Sequence, residues 1–145
     1  MRKLFLIVAV VFASMGVACA NSDLPITIGD LPLKAQQFIK NYFSQIDVIL
    51  TKVDRDILSK EYEVMFADGS KVDFAGDGEW KNIERQRDVV PAEIIPQQIR
   101  SYVKQSYPEA NITKIDRDRN DYEVSLSNRL ELTFNKSFKL IDIED

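Results

Sequence analysis

Few side chains that do chemistry stand in a usable arrangement in this sequence. There is no histidine, and Cys19 is the single cysteine. A Ser–His–Asp triad and a Cys–His pair are therefore excluded, and zinc loses its usual ligands. Ser101-Tyr102-Val103-Lys104 has the S-x-x-K spacing of penicillin-binding proteins. Those enzymes need further motifs and a far larger fold, and Tyr102 and Val103 read as core positions. Asp116-Arg117-Asp118-Arg119-Asn120-Asp121 imitates the start of a calcium loop. An EF-hand loop needs Gly at its sixth place and Glu at its twelfth, where this chain has Asp121 and Ser127. Asp116 and Asp118 share a strand face and stand as weak metal candidates, with no metal predicted. Glu61 and Glu63 are carboxylates of the kind that cleave glycosides, but charged residues on a wet strand face are ordinary solubilising surface. No glycine-rich phosphate loop occurs. The expectation is a protein that is not an enzyme and carries no cofactor.

Composition narrows the class further. The 145 residues are 45% hydrophobic and 29% charged, too apolar for disorder and enough for one domain. Arg2 and Lys3 precede an apolar run from Leu4 to Phe12, and Ala18-Cys19-Ala20 offers small residues for a signal peptidase. Residues 1–20 are read as a secretory leader cut after Ala20. The alternative is a lipoprotein cut after Ala18 and anchored at Cys19. The apolar run is short for a bilayer span, so no transmembrane segment is expected in the mature chain. The formal charge is −4, and losing Arg2 and Lys3 makes the remainder two charges more negative. An acidic surface without a polybasic run argues against nucleic acid. Localisation follows as exported, to the periplasm or envelope of a bacterium.

The chain is written twice. Thr51-Lys52-Val53-Asp54-Arg55-Asp56 recurs as Thr113-Lys114-Ile115-Asp116-Arg117-Asp118, and Tyr62-Glu63-Val64 as Tyr122-Glu123-Val124. Phe74 matches Phe134, Ile83-Glu84 matches Ile143-Glu144, and Leu31-Pro32 matches Ile95-Pro96. Each copy, about 30–84 and 90–145, opens with an amphipathic helical stripe. Asp30 is placed to cap the first helix, and Pro32 and Pro96 sit in first turns. Strands are expected at 48–55, 61–66, 71–74 and 80–84, then at 112–117, 122–126, 130–134 and 139–144. Asp68-Gly69 marks a tight hairpin. The fold class is α+β: about eight strands in one antiparallel sheet, with the helices packed on one face.

Alternation assigns the faces. Tyr62, Val64, Phe66, Val72, Phe74 and Ile83 point to the core, as do Tyr122, Val124, Leu126, Leu130, Leu132, Phe134, Ile141 and Ile143. The opposite face carries Lys52, Glu61, Glu63, Met65, Lys71, Asp73, Trp80 and Asn82, with Lys114, Glu123, Ser125, Glu131, Thr133, Leu140 and Asp142. Trp80, with Met65 beside it, has the makings of a binding hot spot; the alternative is that a strand shift of one residue buries it, or that it caps a hairpin.

Leu31-Pro32, Tyr62-Glu63-Val64, Asp68-Gly69, Phe74, Gly78 and Trp80 stand in the first copy. Val90-Pro91, Ile95-Pro96, Tyr122-Glu123-Val124 and Phe134 stand in the second. Together, over roughly 30–145, the chain resembles the PepSY-like family of exported bacterial proteins. Its implied architecture is similar to the tandem-repeat fold of the β-lactamase inhibitory protein. The resemblance implies a module that binds or restrains other proteins, a peptidase or envelope component among them, through the open sheet face. The inhibitory protein's disulfides are missing, so inhibition of β-lactamase does not carry over. The expected partner is a protein or peptide, met by Trp80, Met65, Glu63, Lys71, Asp73, Glu123 and Leu140. The alternative is a small-ligand or calcium-binding protein using the acidic groups of the same face.

Overall fold

A computed structural model describes residues 23–145. The expected leader and the lipidation candidate Cys19 lie outside the described residues. The described chain is α+β, with two α-helices and a nine-stranded antiparallel sheet in sequential order. The strands are β1 Leu24–Ile26, β2 Val48–Arg55, β3 Lys60–Phe66, β4 Lys71–Ala75, β5 Trp80–Glu84, β6 Ile112–Arg117, β7 Asp121–Leu126, β8 Glu131–Asn135 and β9 Leu140–Glu144. Helix α1 spans Leu33–Tyr42 between β1 and β2, and α2 spans Gln97–Ser106 between β5 and β6. The expected strands are all present within a residue or so. The ninth, β1, pairs with β2 from Leu24↔Val53 to Ile26↔Thr51. Three residues are too few to show a period, so the pattern held no sign of it.

Period-two alternation builds the core. Val72, Ile83, Ile115, Val124 and Leu132 lie opposite one another across five successive strands, and all are fully buried. Phe74 and Phe134, two residues along their strands, face the same way and are equally buried. Onto these rings come the helices. Phe38 of α1 meets Phe74 edge-on at 5.6 Å, and Tyr102 of α2 meets Phe134 edge-on at 5.4 Å. Ala35, Ile39, Ile99 and Val103 complete the apolar stripes.

The helices start differently from the expectation. Pro32 and Pro96 stand at the N-cap, one place before each first turn. Asp30 does not cap α1. It closes a 3-10 turn, Ile28–Asp30, by accepting hydrogen bonds from the Thr27 backbone and hydroxyl, each at 2.9 Å. A side chain from within each helix instead ties its first turn to the chain that leads into it. Gln36 donates to the Leu31 carbonyl at 2.8 Å, and Arg100 donates to the Ile95 carbonyl at 3.2 Å.

Two hairpins in each half need a left-handed residue. In the first half Gly69 and Gly78 take φ of 86° and 89°. Gly78 also has no room, since a Cβ there would lie 3.0 Å from Pro32 and 3.1 Å from Lys34. In the second half the corresponding places are Arg129, φ 75°, and Phe138, φ 61°. Phe138 offsets its strain by stacking on Tyr122 at 5.6 Å. Arg129 is exposed and has no such compensation, and a left-handed residue with a Cβ costs about 1–2 kcal/mol. Arg129→Gly is therefore expected to stabilise the protein by about 0.5–1 kcal/mol in urea unfolding, after the entropy of glycine is set against that strain. Phe74→Ala and Phe134→Ala are each expected to cost about 3–5 kcal/mol in the same assay.

Candidate functional site

The face opposite the apolar rows carries a row of its own. Lys52 pairs with Glu63, Glu63 with Asp73, Asp73 with Asn82, Asn82 with Asp116, Asp116 with Glu123, and Glu123 with Thr133. Neighbouring strands are about 4.8 Å apart, so these side chains form one band across seven strands. Glu63, Asp73, Asp116 and Glu123 are acids, and Lys52 is the single base within the band.

The two ends of the band differ in how charge is balanced. At the first-half end, Lys52 reaches Asp23 at 3.1 Å and Glu63 at 3.3 Å. Lys71 stands 3.6 Å from Glu63 and 3.8 Å from Asp73. Lys81 is bonded to Glu61. Asp23 first, then Glu63, holds the Lys52 ammonium above its usual range. Towards the second half, Asp116 and Glu123 make no ion pair with any described residue. Burial pushes the carboxyls of Asp73 and Asp116 up, against the weaker pull of Lys71 and Lys114 respectively. Burial, with Glu131 nearby, does the same to Glu123.

The centre of the band is the least satisfied. The Asn82 amide donates to Asp73 Oδ2 at 3.3 Å. Asn82 Oδ1 and Asp73 Oδ1 are shielded and have no donor. A cavity of about 230 Å³ lies here, lined by Glu61, Asp73, Lys81, Asn82, Asp116, Arg117 and Asp118.

The strand-by-strand meander matches proteins already known. The family model "Putative beta-lactamase-inhibitor-like, PepSY-like" matches residues 60–142, more than half of the chain. The chain belongs to the PepSY-like family. Its fold is similar to that of a "putative calcium-regulated periplasmic protein" from Bacteroides thetaiotaomicron, at 48% identity and TM-score 0.84, covering 87% of this chain and 99% of that one. It is also similar to a "putative periplasmic protein" of the DUF2874 family from Bacteroides vulgatus, at 40% identity and TM-score 0.85, with 87% and 99% covered. A third, from Bacteroides vulgatus and described as of unknown function, has 34% identity and TM-score 0.80, with 85% and 99% covered. No curated protein matches the sequence. Among the described residues no helix is long and apolar enough to cross a membrane.

In this PepSY-like chain Glu63, Met65, Lys71, Asp73 and Glu123 stand on the polar face, as expected. Trp80 and Leu140 do not. The β4–β5 pairing slips between Asp73 and Phe74, leaving Lys81 as an extra residue, so Trp80 pairs with Phe74 and turns into the core. The β8–β9 pairing slips at the matching place, leaving Ile141 extra and setting Leu140 beside Phe134. One inserted residue flips every side chain beyond it to the other face. Ile141, expected in the core, is the extra residue and is exposed, while Ile143 keeps the expected side opposite Leu132 but stays 46% exposed on the edge strand. Trp80 is roofed by Arg117, whose guanidinium lies 3.9 Å from the ring centroid and donates to the Trp80 carbonyl at 2.7 Å. Arg117 also reaches Glu79 at 3.2 Å, and Glu79 accepts from Lys34 at 2.7 Å. This chain of contacts gives Trp80 a packing role.

Asp116 and Asp118 line the central cavity. Among the described residues, however, no three acidic, cysteine or histidine side chains come together closely enough to hold a metal ion. Ser101 and Lys104 are exposed on α2, while Tyr102 and Val103 between them serve the core. Asn82 is the residue the sequence placed on this face without marking it. Its neighbours in the strand order, two acids, were the available sign.

The raised Asp73 carboxyl yields a test. Its folded value lies above the ordinary aspartate value, so the folded state holds the proton more tightly. Stability from this group is then present at low pH and falls as pH rises through the interval between the two values. Asp73→Asn removes that penalty. The variant is expected to melt above the wild type at pH 7, with the gain vanishing below about pH 3.8, in thermal unfolding followed across pH.

Proposed function

We propose that this PepSY-like protein is an exported binding module, without enzymatic activity, that engages a protein or peptide through the polar face of its sheet. On this reading the chain is one duplicated unit, with halves of about 30–84 and 90–145. Both helices lie behind the sheet and leave the polar face free. Residues 1–20 serve as a leader cut after Ala20, the alternative being a lipid anchor at Cys19. The periplasmic descriptions of the similar structures support export.

The observation that carries the reading is the stretch Asp73–Asn82–Asp116–Glu123 of the band, where Asp73 Oδ1 and Asn82 Oδ1 have no donor and Asp116 and Glu123 make no ion pair with any described residue. A folded protein keeps donorless acceptors and unpaired acids in one place at a cost, and a docking partner is what offsets it. The register-matched contacts of Phe38 on Phe74 and Tyr102 on Phe134 support the duplicated layering. The complete absence of histidine removes the commonest general acid–base residue.

A second reading has one observation of its own. The Bacteroides thetaiotaomicron protein of 48% identity is described as calcium-regulated, and Asp116 and Asp118 share the central cavity. Calorimetric titration with calcium separates the two. Heat that disappears in Asp116→Asn would favour calcium binding.

The docking reading is tested by photo-crosslinking in the producing bacterium. A crosslinking amino acid at Thr133, in the polar band, is expected to give a discrete adduct. The same residue at Lys40, exposed on α1, is expected to give none. Adducts from Lys40 and none from Thr133 would refute the assignment of the face.

A further inference from the structure

We infer that the centre of the polar face is a subsite for the guanidinium of an arginine carried by the partner. This subsite rests on the docking reading above and gives it a chemistry. Asn82 is only 8% exposed, yet its Oδ1 has no donor, and Asp73 Oδ1 beside it has none either. Both are acceptors, so what is missing is a group rich in N–H. Asp73 and Asp116 flank Asn82 in the band, so the missing group is also positively charged.

The cations that line or border the cavity are committed elsewhere, and Lys114 acts on Asp116 without forming an ion pair. Lys81 is bonded to Glu61. Arg117 is turned to the Trp80 carbonyl and Glu79. Lys71 is shared at 3.6 and 3.8 Å between Glu63 and Asp73, longer than a good charged hydrogen bond. The two orphan oxygens are shielded from solvent, so an entering group must displace a side chain. Lys71, held by these long contacts, has the least to lose.

Geometry selects the guanidinium over a metal ion. Asp73 and Asp116 spring from strands two apart, roughly 10 Å between backbones. Calcium holds its oxygens at about 2.3–2.6 Å, which requires ligands to converge within about 5 Å of one another. No such convergence of three acids occurs among the described residues. A planar guanidinium offers five donors in a fixed fork, enough to bridge two separated carboxylates and serve an amide oxygen between them. An ammonium, a compact point charge, spans less. The cavity of about 230 Å³ admits a side-chain tip, not a folded domain. The partner segment therefore presents arginine from an extended or loop backbone lying over the band.

The test uses a blocked pentapeptide, Gly-Gly-Arg-Gly-Gly, and its citrulline and lysine counterparts. The readout is the Asn82 side-chain amide resonance of the isotopically labelled mature protein. The arginine peptide is expected to shift that resonance saturably, and the citrulline peptide, which lacks the charge, to leave it unmoved. The lysine peptide is expected to bind at least about threefold more weakly. Asp73→Asn and Asp116→Asn, both isosteric, are each expected to weaken arginine binding at least about fivefold while keeping the folded spectrum. A shift by citrulline equal to that by arginine would overturn the assignment. So would equal binding of the lysine peptide, no shift at all, or calcium chloride moving the same resonance more tightly than the arginine peptide. If the arginine response fails while the Thr133 crosslink persists, the subsite falls and the docking face stands. If both fail, the docking face falls with it.

Discussion

Ile83 and Ile115 face each other where β5 pairs with β6, and this register decides what the two halves of the sheet share. With it, the buried row runs unbroken from Val72 through Ile83, Ile115 and Val124 to Leu132. One residue earlier, the same register sets Asn82 against Asp116. The polar band is thus the reverse side of the apolar one. Five fully buried aliphatic side chains fix the register, because a slip of one residue would turn each of them to water. The acids of the band have no such freedom of their own. They are held close together by a packing preference in which they take no part.

That arrangement explains why like-charged residues persist opposite one another. Directly opposed like charges across antiparallel strands destabilise a sheet, and Glu63 against Asp73 and Asp116 against Glu123 are two such pairs. Lysines soften the first pair. Lys114 acts on Asp116 and Glu123 only at longer range, and burial raises both carboxyls. The orphan oxygens of Asp73 and Asn82 add to the cost at the centre. The opposite face packs ring against ring, with Arg117 covering Trp80, and the other two shielded atoms without a partner, Ser70 Oγ and Arg85 Nε, lie outside the band. The acids opposed across neighbouring strands lie on the polar face, and that charge asymmetry is what the docking proposal uses.

Much of this was legible in the residues. The alternation of Tyr62, Val64 and Phe66, the repeated Tyr-Glu-Val and the Asp68-Gly69 hairpin led directly to antiparallel strands and their faces. The meander of short links fixed their order. What alternation cannot carry is an inserted residue. Lys81 and Ile141 are ordinary strand residues by type, and nothing in the sequence marks either as a bulge. Trp80 and Leu140 accordingly change faces. β1 was too short to show a period, and Asp30 found a nearer turn to close than the helix. Asn82 escaped notice for a different reason. Its face was correct, but its burial comes from neighbours on adjacent strands and not from its own stretch of sequence.

Docking on the polar face requires that the acids of the band be held without adequate compensation in the free protein. Carboxyl carbon titration by NMR reads this residue by residue. Asp73, Asp116 and Glu123 are expected to titrate above the ordinary values for their types, and Asp30, hydrogen-bonded to Thr27, below its own. Ordinary or lowered values at Asp73 and Asp116 in the free protein would contradict the claim.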